Sequence, residues 1–316
     1  MSISQHEALC CVKLLVCVAK ADGELATAEH QSLQEALADL SLPSGITALS
    51  LLGGTYDADS LLKEIKSPDA RDAAYSACFT MAHADGVYHA KEQELLARME
   101  KAWEVSSEKK GLFGRIFQEA KDTVSFTSIK PIADPGKRES AINEDVMKYA
   151  ILAATLGLNP VPVVKIATEI AVIGVQGKMV RDIGQYHGQE TTKQGVKQLL
   201  VGMGAGQAGR VAINSLLGFV PVLGSAIPAI TNFASTWAVG RVANQYYAAG
   251  GKLDAKVLRD SFKSQQKEGK KAYEANKSAV EAKAAANKAA LDKLGAEYKA
   301  GTLTQAEYEQ KVLDLK

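Results

Sequence analysis

Apolar positions in this chain recur at helical spacing. Leu9, Val12, Leu15, Val16 and Ala19 keep the i, i+3, i+4 rule up to an Ala-Asp-Gly, which predicts an amphipathic helix there. Residues 146–186 are rich in apolar positions, and Asn159-Pro160 with Pro162 divides them into two predicted helices. Lys165 and Glu169, four apart, suit pairing on one helix face and argue against a simple lipid-exposed span. Between Arg210 and Arg241 run 30 residues without a charge. That length suffices for a membrane span, but Gly218, Pro221, Gly224 and Pro228 punctuate it. The expected form is a hairpin of two short helices, buried in protein, dipping into one leaflet or spanning as a pair. Residues 252–293 read as one helix with a thin apolar stripe, expected to be solvated or to act as a coiled-coil arm. Near the end, Gly301 stops a helix and Thr304 with Glu307 forms a capping box that starts another. So small a hairpin buries too little to stand alone, so it is expected to dock or self-associate.

Composition agrees with an all-α fold. Aromatics are 6% and hydrophobic residues 47%, with much Ala and Gly, which favours closely packed helices over a β-sandwich. The pattern divides the chain into an acidic helical domain (1–105), a linker (106–145), a glycine-rich apolar helical domain (146–265) and a basic helix with a short hairpin (266–316). Within the linker, Leu112, Phe113, Ile116 and Phe117 would line one face of a short helix between basic flanks, suited to a membrane interface or to docking on a neighbouring domain.

The net charge of +1 conceals an asymmetry. Residues 1–105 hold 16 acids and 8 bases, a net of −8, whereas the remainder holds 20 acids and 29 bases, a net of +9. The acidic part suits cations or a basic partner, the basic part an anionic surface, and both equally suit plain solvation. No aromatic platform or basic-fold motif accompanies the positive charge, so no nucleic-acid partner is expected. Cys10, Cys11, Cys17 and Cys78 sit inside apolar helical patterns without a C-x-x-C pair, as small hydrophobes of a reducing cytoplasm would. Ala19-Lys20-Ala21 mimics a signal-cleavage site, but no positive charge precedes the apolar run and Lys13 interrupts it. The segment is therefore expected to be a helix of the fold.

The same pattern recurs in mid-chain. V-A-K-A-D-G-E-L-A-T-A-E ends at Glu29 and M-A-H-A-D-G-V-Y-H-A-K-E ends at Glu92. Both contain A-x-A-D-G-x5-E, offset by 63 residues, so Asp22 matches Asp85 and Glu29 matches Glu92. Each copy reads as a helix stopped by Gly23 or Gly86, followed by a helix whose first turn carries the Glu. This duplicated motif, over roughly residues 5–104, resembles the TerB family of bacterial tellurite-resistance and stress operons. The resemblance implies a helical bundle whose acidic cluster holds a divalent cation (calcium, magnesium or zinc), with Asp22, Glu29, Asp85 and Glu92 as ligands. The same residues also suit ordinary turn and capping roles. Glu24 has no counterpart, since Val87 stands there. His83 and His89 add imidazoles to the second copy, where the first has Lys20 and Ala26.

Gly204, Gly206 and Gly209 satisfy G-x-G-x-x-G, yet the preceding K-Q-G-V-K-Q-L-L reads as helix and no acid occurs from Thr191 to Leu253, so a dinucleotide site is not expected. Gly202 and Gly206 instead provide a small-residue face for close packing. Residues 146–265, with N-P-V-P-V-V-K-I-A-T-E-I-A-V-I-G-V-Q-G-K-M-V-R-D-I-G-Q-Y-H-G, G-F-V-P-V-L-G-S-A-I-P and W-A-V-G-R-V-A-N-Q-Y-Y, resemble an uncharacterised helical domain of YcjF-like bacterial proteins, also fused to some GTPases. This implies membrane association or a GTPase-like partner. The last helical hairpin resembles the SHOCT module, which implies homo-oligomerisation through the tail. No nucleophile–base spacing or Walker lysine is present. The expected function is a non-enzymatic, stress-associated bacterial adaptor, cytoplasmic and peripheral on or inserted into the inner membrane, with a stress-operon or GTPase-like protein as partner. The alternative is a soluble cytoplasmic metal-binding protein of the tellurite or metal stress response.

Overall fold

The computed structural model describes residues 3–21, 33–34, 37, 42–83, 90–107, 111, 129–158, 162–203 and 228–315, with the side chains of 83, 162–170, 193, 228 and 305 left aside. Every regular element among the described residues is a helix: α1 (Gln5–Ala19), α2 (Ala48–Gly53), α3 (Ala58–Glu64), α4 (Pro68–His83), α5 (Ala90–Ala102), α6 (Pro135–Gly157), α7 (Pro162–Tyr186), α8 (Lys193–Gly202), α9 (Pro228–Ala248), α10 (Ala255–Lys299) and α11 (Gln305–Leu313). The all-α class expected from the periodicity is thus the observed one. The chain forms two compact units, the first holding α1–α5 and the second holding α6, α7 from Ala167 onward, and α8–α11.

The first unit is organised around α1. Ala8, Cys10, Cys11, Val12, Leu14, Leu15, Val16, Val18 and Ala19 are all buried, so apolar residues cover most of the helix circumference. Its neighbours are α4, α3 and α2. Ser4 starts α1 with a reciprocal capping box: its hydroxyl accepts from the Glu7 N–H, and the Glu7 carboxylate reaches back to the Ser4 N–H. The other Glu7 oxygen accepts from the backbone N–H of Lys66 at 2.9 Å and Ser67 at 2.7 Å, tying α1 to the start of α4. Burial alone would raise the Glu7 carboxyl, but the N–H groups of Ser67 and Lys66 and the Ser4 contacts outweigh it and lower it to about 2. Trp103 closes the unit by donating its indole N–H to the Leu62 carbonyl, and Tyr75 donates its phenol to Glu100.

The internal repeat is visible in the helices. Shifting α1 by the 63-residue offset lands on α4: Ser4 falls on Ser67 and Gln5 on Pro68. Ser67 repeats the cap, its hydroxyl accepting from the Ala70 N–H at a longer 3.4 Å. Leu33 and Leu96, also one offset apart, are both buried.

The second unit is built on α6, α9 and α10, each packed on the other two. Ala150, Ala154, Ala229, Phe233, Tyr273 and Val280 form its core cluster. Phe233 stacks on Trp237, with ring centroids 6.2 Å apart, and meets Tyr273 edge-on at 5.6 Å. Close approach depends on two glycines. A Cβ at Gly269 of α10 would lie 2.9 Å from the Ala234 Cα of α9, and one at Gly240 of α9 would collide with Val146 of α6 and Met179 of α7. Gly202, at the end of α8, faces Leu258 of α10 in the small-residue role expected for it.

Three expectations are corrected here. The linker stops short of residue 145, because α6 begins at Pro135, where Asp134 caps the helix and proline occupies its first turn. No boundary falls at 265–266, since α10 continues through it. Nor is α10 a solvated arm: Leu258, Phe262, Gly269, Tyr273 and Val280 are buried in the unit's core. The second half of the uncharged stretch is likewise protein-buried. Ala229, Phe233, Ala234, Ala238 and Val239 of α9 are covered, and no helix among the described residues is long and apolar enough to cross a membrane. The first half, residues 211–227, and the linker's amphipathic stretch, residues 112–121, lie outside the described residues.

The terminal hairpin docks on its own unit. Gly301 turns the chain at φ 77°, and Thr304 and Glu307 form the expected capping box. Tyr308 and Val312 of α11 are fully buried, with the Tyr308 ring 5.2 Å from Tyr298 of α10. Glu309 lies against Gly174 of α7, where a Cβ would come within 2.9 Å of its carboxylate.

Candidate functional site

The acidic candidates come first. Asp22, Glu29 and Asp85, with His89, lie outside the described residues, so only Glu92 of the four can be placed. It sits in the first turn of α5, half-buried, where a carboxylate interacts favourably with the helix N-terminus. His83 is the last residue of α4. Gly204, Gly206 and Gly209 also lie outside, but the segment before them is α8, a helix and not the strand a dinucleotide fingerprint requires.

The structure brings together a group that the sequence reading did not assemble. His6 and Cys10 are four apart on α1, and Glu64 is the last residue of α3. His6 Nε2 is 2.8 Å from Glu64 Oε2, Cys10 Sγ is 3.5 Å from the same oxygen, and Cys10 Sγ is 3.7 Å from His6 Nε2. Three different donor atoms thus lie within 4.8 Å of one another. Cys10 is buried beneath them, while the His6 and Glu64 side chains are 68% and 45% exposed. Burial pushes the Cys10 thiol up, the hydrogen bond to Glu64 and its charge add to that, and Lys13 opposes it; the result is about 11. Cys11, Cys17 and Cys78 are free thiols as well, raised first of all by burial, as apolar helix positions dictate. Two of its three members were legible in sequence, the i, i+4 pair His6–Cys10. Glu64 arrives only because α3 packs on α1.

The second unit holds a buried polar group. Lys178 and Asp182, four apart on α7, pair at 2.6 Å with side chains only 10% and 3% exposed. Tyr149 of α6 donates to the same Asp182 oxygen at 2.6 Å, and the Lys178 ammonium lies 5.7 Å from the Tyr149 ring centroid. Burial and the Asp182 charge hold the Tyr149 phenol far above its ordinary value, so it stays protonated and donates. A second ladder links α6, α7 and α9. Arg241 bonds Glu139 and Asn143, Asn244 donates to Glu139 at 2.6 Å, and His187 meets Asn244 at 2.8 Å. Gln176 bonds Ser235 and Thr236 of α9. The Gln176 bonds satisfy buried polar groups, the Arg241–Glu139 pair lies nearer the surface, and together they tie the helices to one another. The sequence pair Lys165–Glu169 has side chains outside the described set.

Comparison with known proteins finds a similarity to magnetosome membrane protein 22 of Magnetospirillum gryphiswaldense. The two are 27% identical over 155 residues, covering 46% of this chain and 78% of the relative. No family model matches the chain. No solved structure matches it.

Proposed function

We propose that the chain is a non-enzymatic bacterial adaptor that works against a membrane. The observation that carries this reading is the similarity to a magnetosome membrane protein over 78% of that protein's length. Two features of the chain support it. The part beyond residue 105 is basic by nine charges, which draws it to anionic headgroups within a Debye length. Residues 211–227 carry no charge and are rich in large apolar side chains, a composition suited to lipid contact. The acidic repeat serves as the cation or partner platform that its TerB resemblance implies. The YcjF resemblance supports a GTPase-like or stress-operon partner. The SHOCT resemblance of α10–α11 supports self-association, which would use the outer face of the hairpin, since Tyr308 and Val312 are already buried.

Flotation of the full chain tests the reading. Purified without detergent, it is expected to rise with vesicles containing anionic lipid and to rise less with neutral ones. High salt should weaken the association without abolishing it, because salt screens the basic surface but not apolar contact. A chain that stays at the bottom with both vesicle types overturns the reading. The soluble metal-binding alternative, favoured by the duplicated A-D-G-x5-E, would then take its place.

A further inference from the structure

We propose that His6, Cys10 and Glu64 form a binding site for one divalent transition-metal ion of the zinc class, with water completing its shell. The site uses none of the A-D-G-x5-E carboxylates Asp22, Glu29, Asp85 and Glu92. Its donors are an imidazole nitrogen, a sulfur and a carboxylate oxygen. That set suits zinc and its soft-to-borderline relatives and disfavours calcium and magnesium, which take oxygen almost exclusively.

The distances carry the proposal. A tetrahedral zinc with metal–sulfur bonds of about 2.3 Å and metal–nitrogen or –oxygen bonds of about 2.0–2.1 Å sets its ligands roughly 3.5 Å apart at the sulfur edges and about 3.3 Å apart at the nitrogen–oxygen edge. Here the two sulfur edges are 3.7 Å and 3.5 Å, and the nitrogen–oxygen edge is 2.8 Å. Two edges already have coordination length. The third is a hydrogen bond that an entering ion replaces by parting His6 and Glu64 by about half an ångström. Both side chains are exposed enough to make that move, and their exposure leaves room for the ion and its water. Cys10 is held from below by the core. The supports are rigid: His6 and Cys10 share one face of α1, and Glu64 follows Leu61 and Leu62, which are buried. Binding breaks the Cys10 S–H bond, forms a sulfur–metal bond and releases that proton to solvent. The repeat-equivalent places in α4 are Asp69 and Ala73, so the site belongs to the first copy alone.

Cobalt(II) titration of the reduced full-length chain decides it, because a thiolate ligand gives a near-ultraviolet sulfur-to-cobalt charge-transfer band that carboxylates cannot. The band is expected to saturate at one ion per chain and to be bleached by an equivalent of zinc. His6→Gln and Glu64→Gln alter exposed side chains, and each should weaken binding by at least the roughly 10–100-fold that losing an outer-shell partner costs. Cys10→Ala, which places in α1 the residue α4 already has, should remove the band. No band with the parent chain overturns the proposal. So does a band that Cys10→Ala leaves in place, or one unaffected by both glutamine variants. Cobalt bound by the acidic repeat would show without the sulfur band, so the two sites are told apart in one titration.

Discussion

Helices α1 and α4 occupy corresponding places in the two copies of the repeat, begin one offset apart on a serine and pack against each other, yet among the described residues the grouped imidazole, thiol and carboxylate involve α1 and not α4. At the matched positions, His6, Glu7 and Cys10 of α1 correspond to Asp69, Ala70 and Ala73 of α4. The conserved part of the duplication is what a buried helix needs: a cap at its start, apolar residues at helical spacing, and a glycine after its end. The divergent part is what is free to acquire a task. A single copy inspected by itself would not reveal which of its polar residues serve the fold and which are additional.

The largest test of this contrast is in the core. Leu15→Ala removes a fully buried branched side chain from α1 and is expected to cost about 2–5 kcal/mol in denaturant unfolding. Cys78→Ala, at the matched place in α4, takes away a single sulfur and should cost distinctly less. Equal costs would mean that α1 is not the central helix. Next is Glu7→Gln, which discards the charge that accepts from Lys66 and Ser67. Because the folded carboxyl is lowered from 4.5 to about 2, its contribution is fully present above the ordinary carboxylate range and is lost as pH falls from about 4.5 toward 2. The variant should therefore melt below the parent at neutral pH, and the two curves should converge through that acidic window. A gap independent of pH would assign the loss to packing instead of charge. The smallest effect is expected at the caps. Ser4→Ala breaks a reciprocal box and should cost about 1 kcal/mol, whereas Ser67→Ala should cost less, because its hydroxyl bond is longer and Glu7 already accepts the Ser67 N–H. The same cost at both serines would make the two helix starts equivalent.

Much of the fold was legible because it depends on local rules. The end of α6 just before Asn159-Pro160, the box at Thr304–Glu307 and the run from Leu9 to Ala19 each follow from a few neighbouring residues. What was not legible depends on what lies opposite. The apolar stripe of α10 looked thin because one of its core positions is Gly269, which contributes by having no side chain. Lys178–Asp182 has the ordinary i, i+4 spacing of a solvated helix pair, so charge pattern alone does not show that it is buried. For the candidate sites the limit was similar. His6 and Cys10 could be placed on one helix face from sequence, but Glu64 is 54 residues beyond Cys10 and joins them only through helix packing.

Gly269 also sets what kind of movement the second unit permits. Helix α10 has 45 residues, about 67 Å of continuous rod, and rods of that length can in principle carry a signal by slipping one turn along a neighbour. Here a slip of one turn brings Gln265 or Gln266, or in the other direction Ala272 or Tyr273, onto the Ala234 backbone, where there is no space even for a methyl group. The contact works as a detent. A one-turn slip of α10 would have to push two backbones apart, and the far end of the rod is itself held, by Tyr308 on Tyr298 and by Glu309 against Gly174.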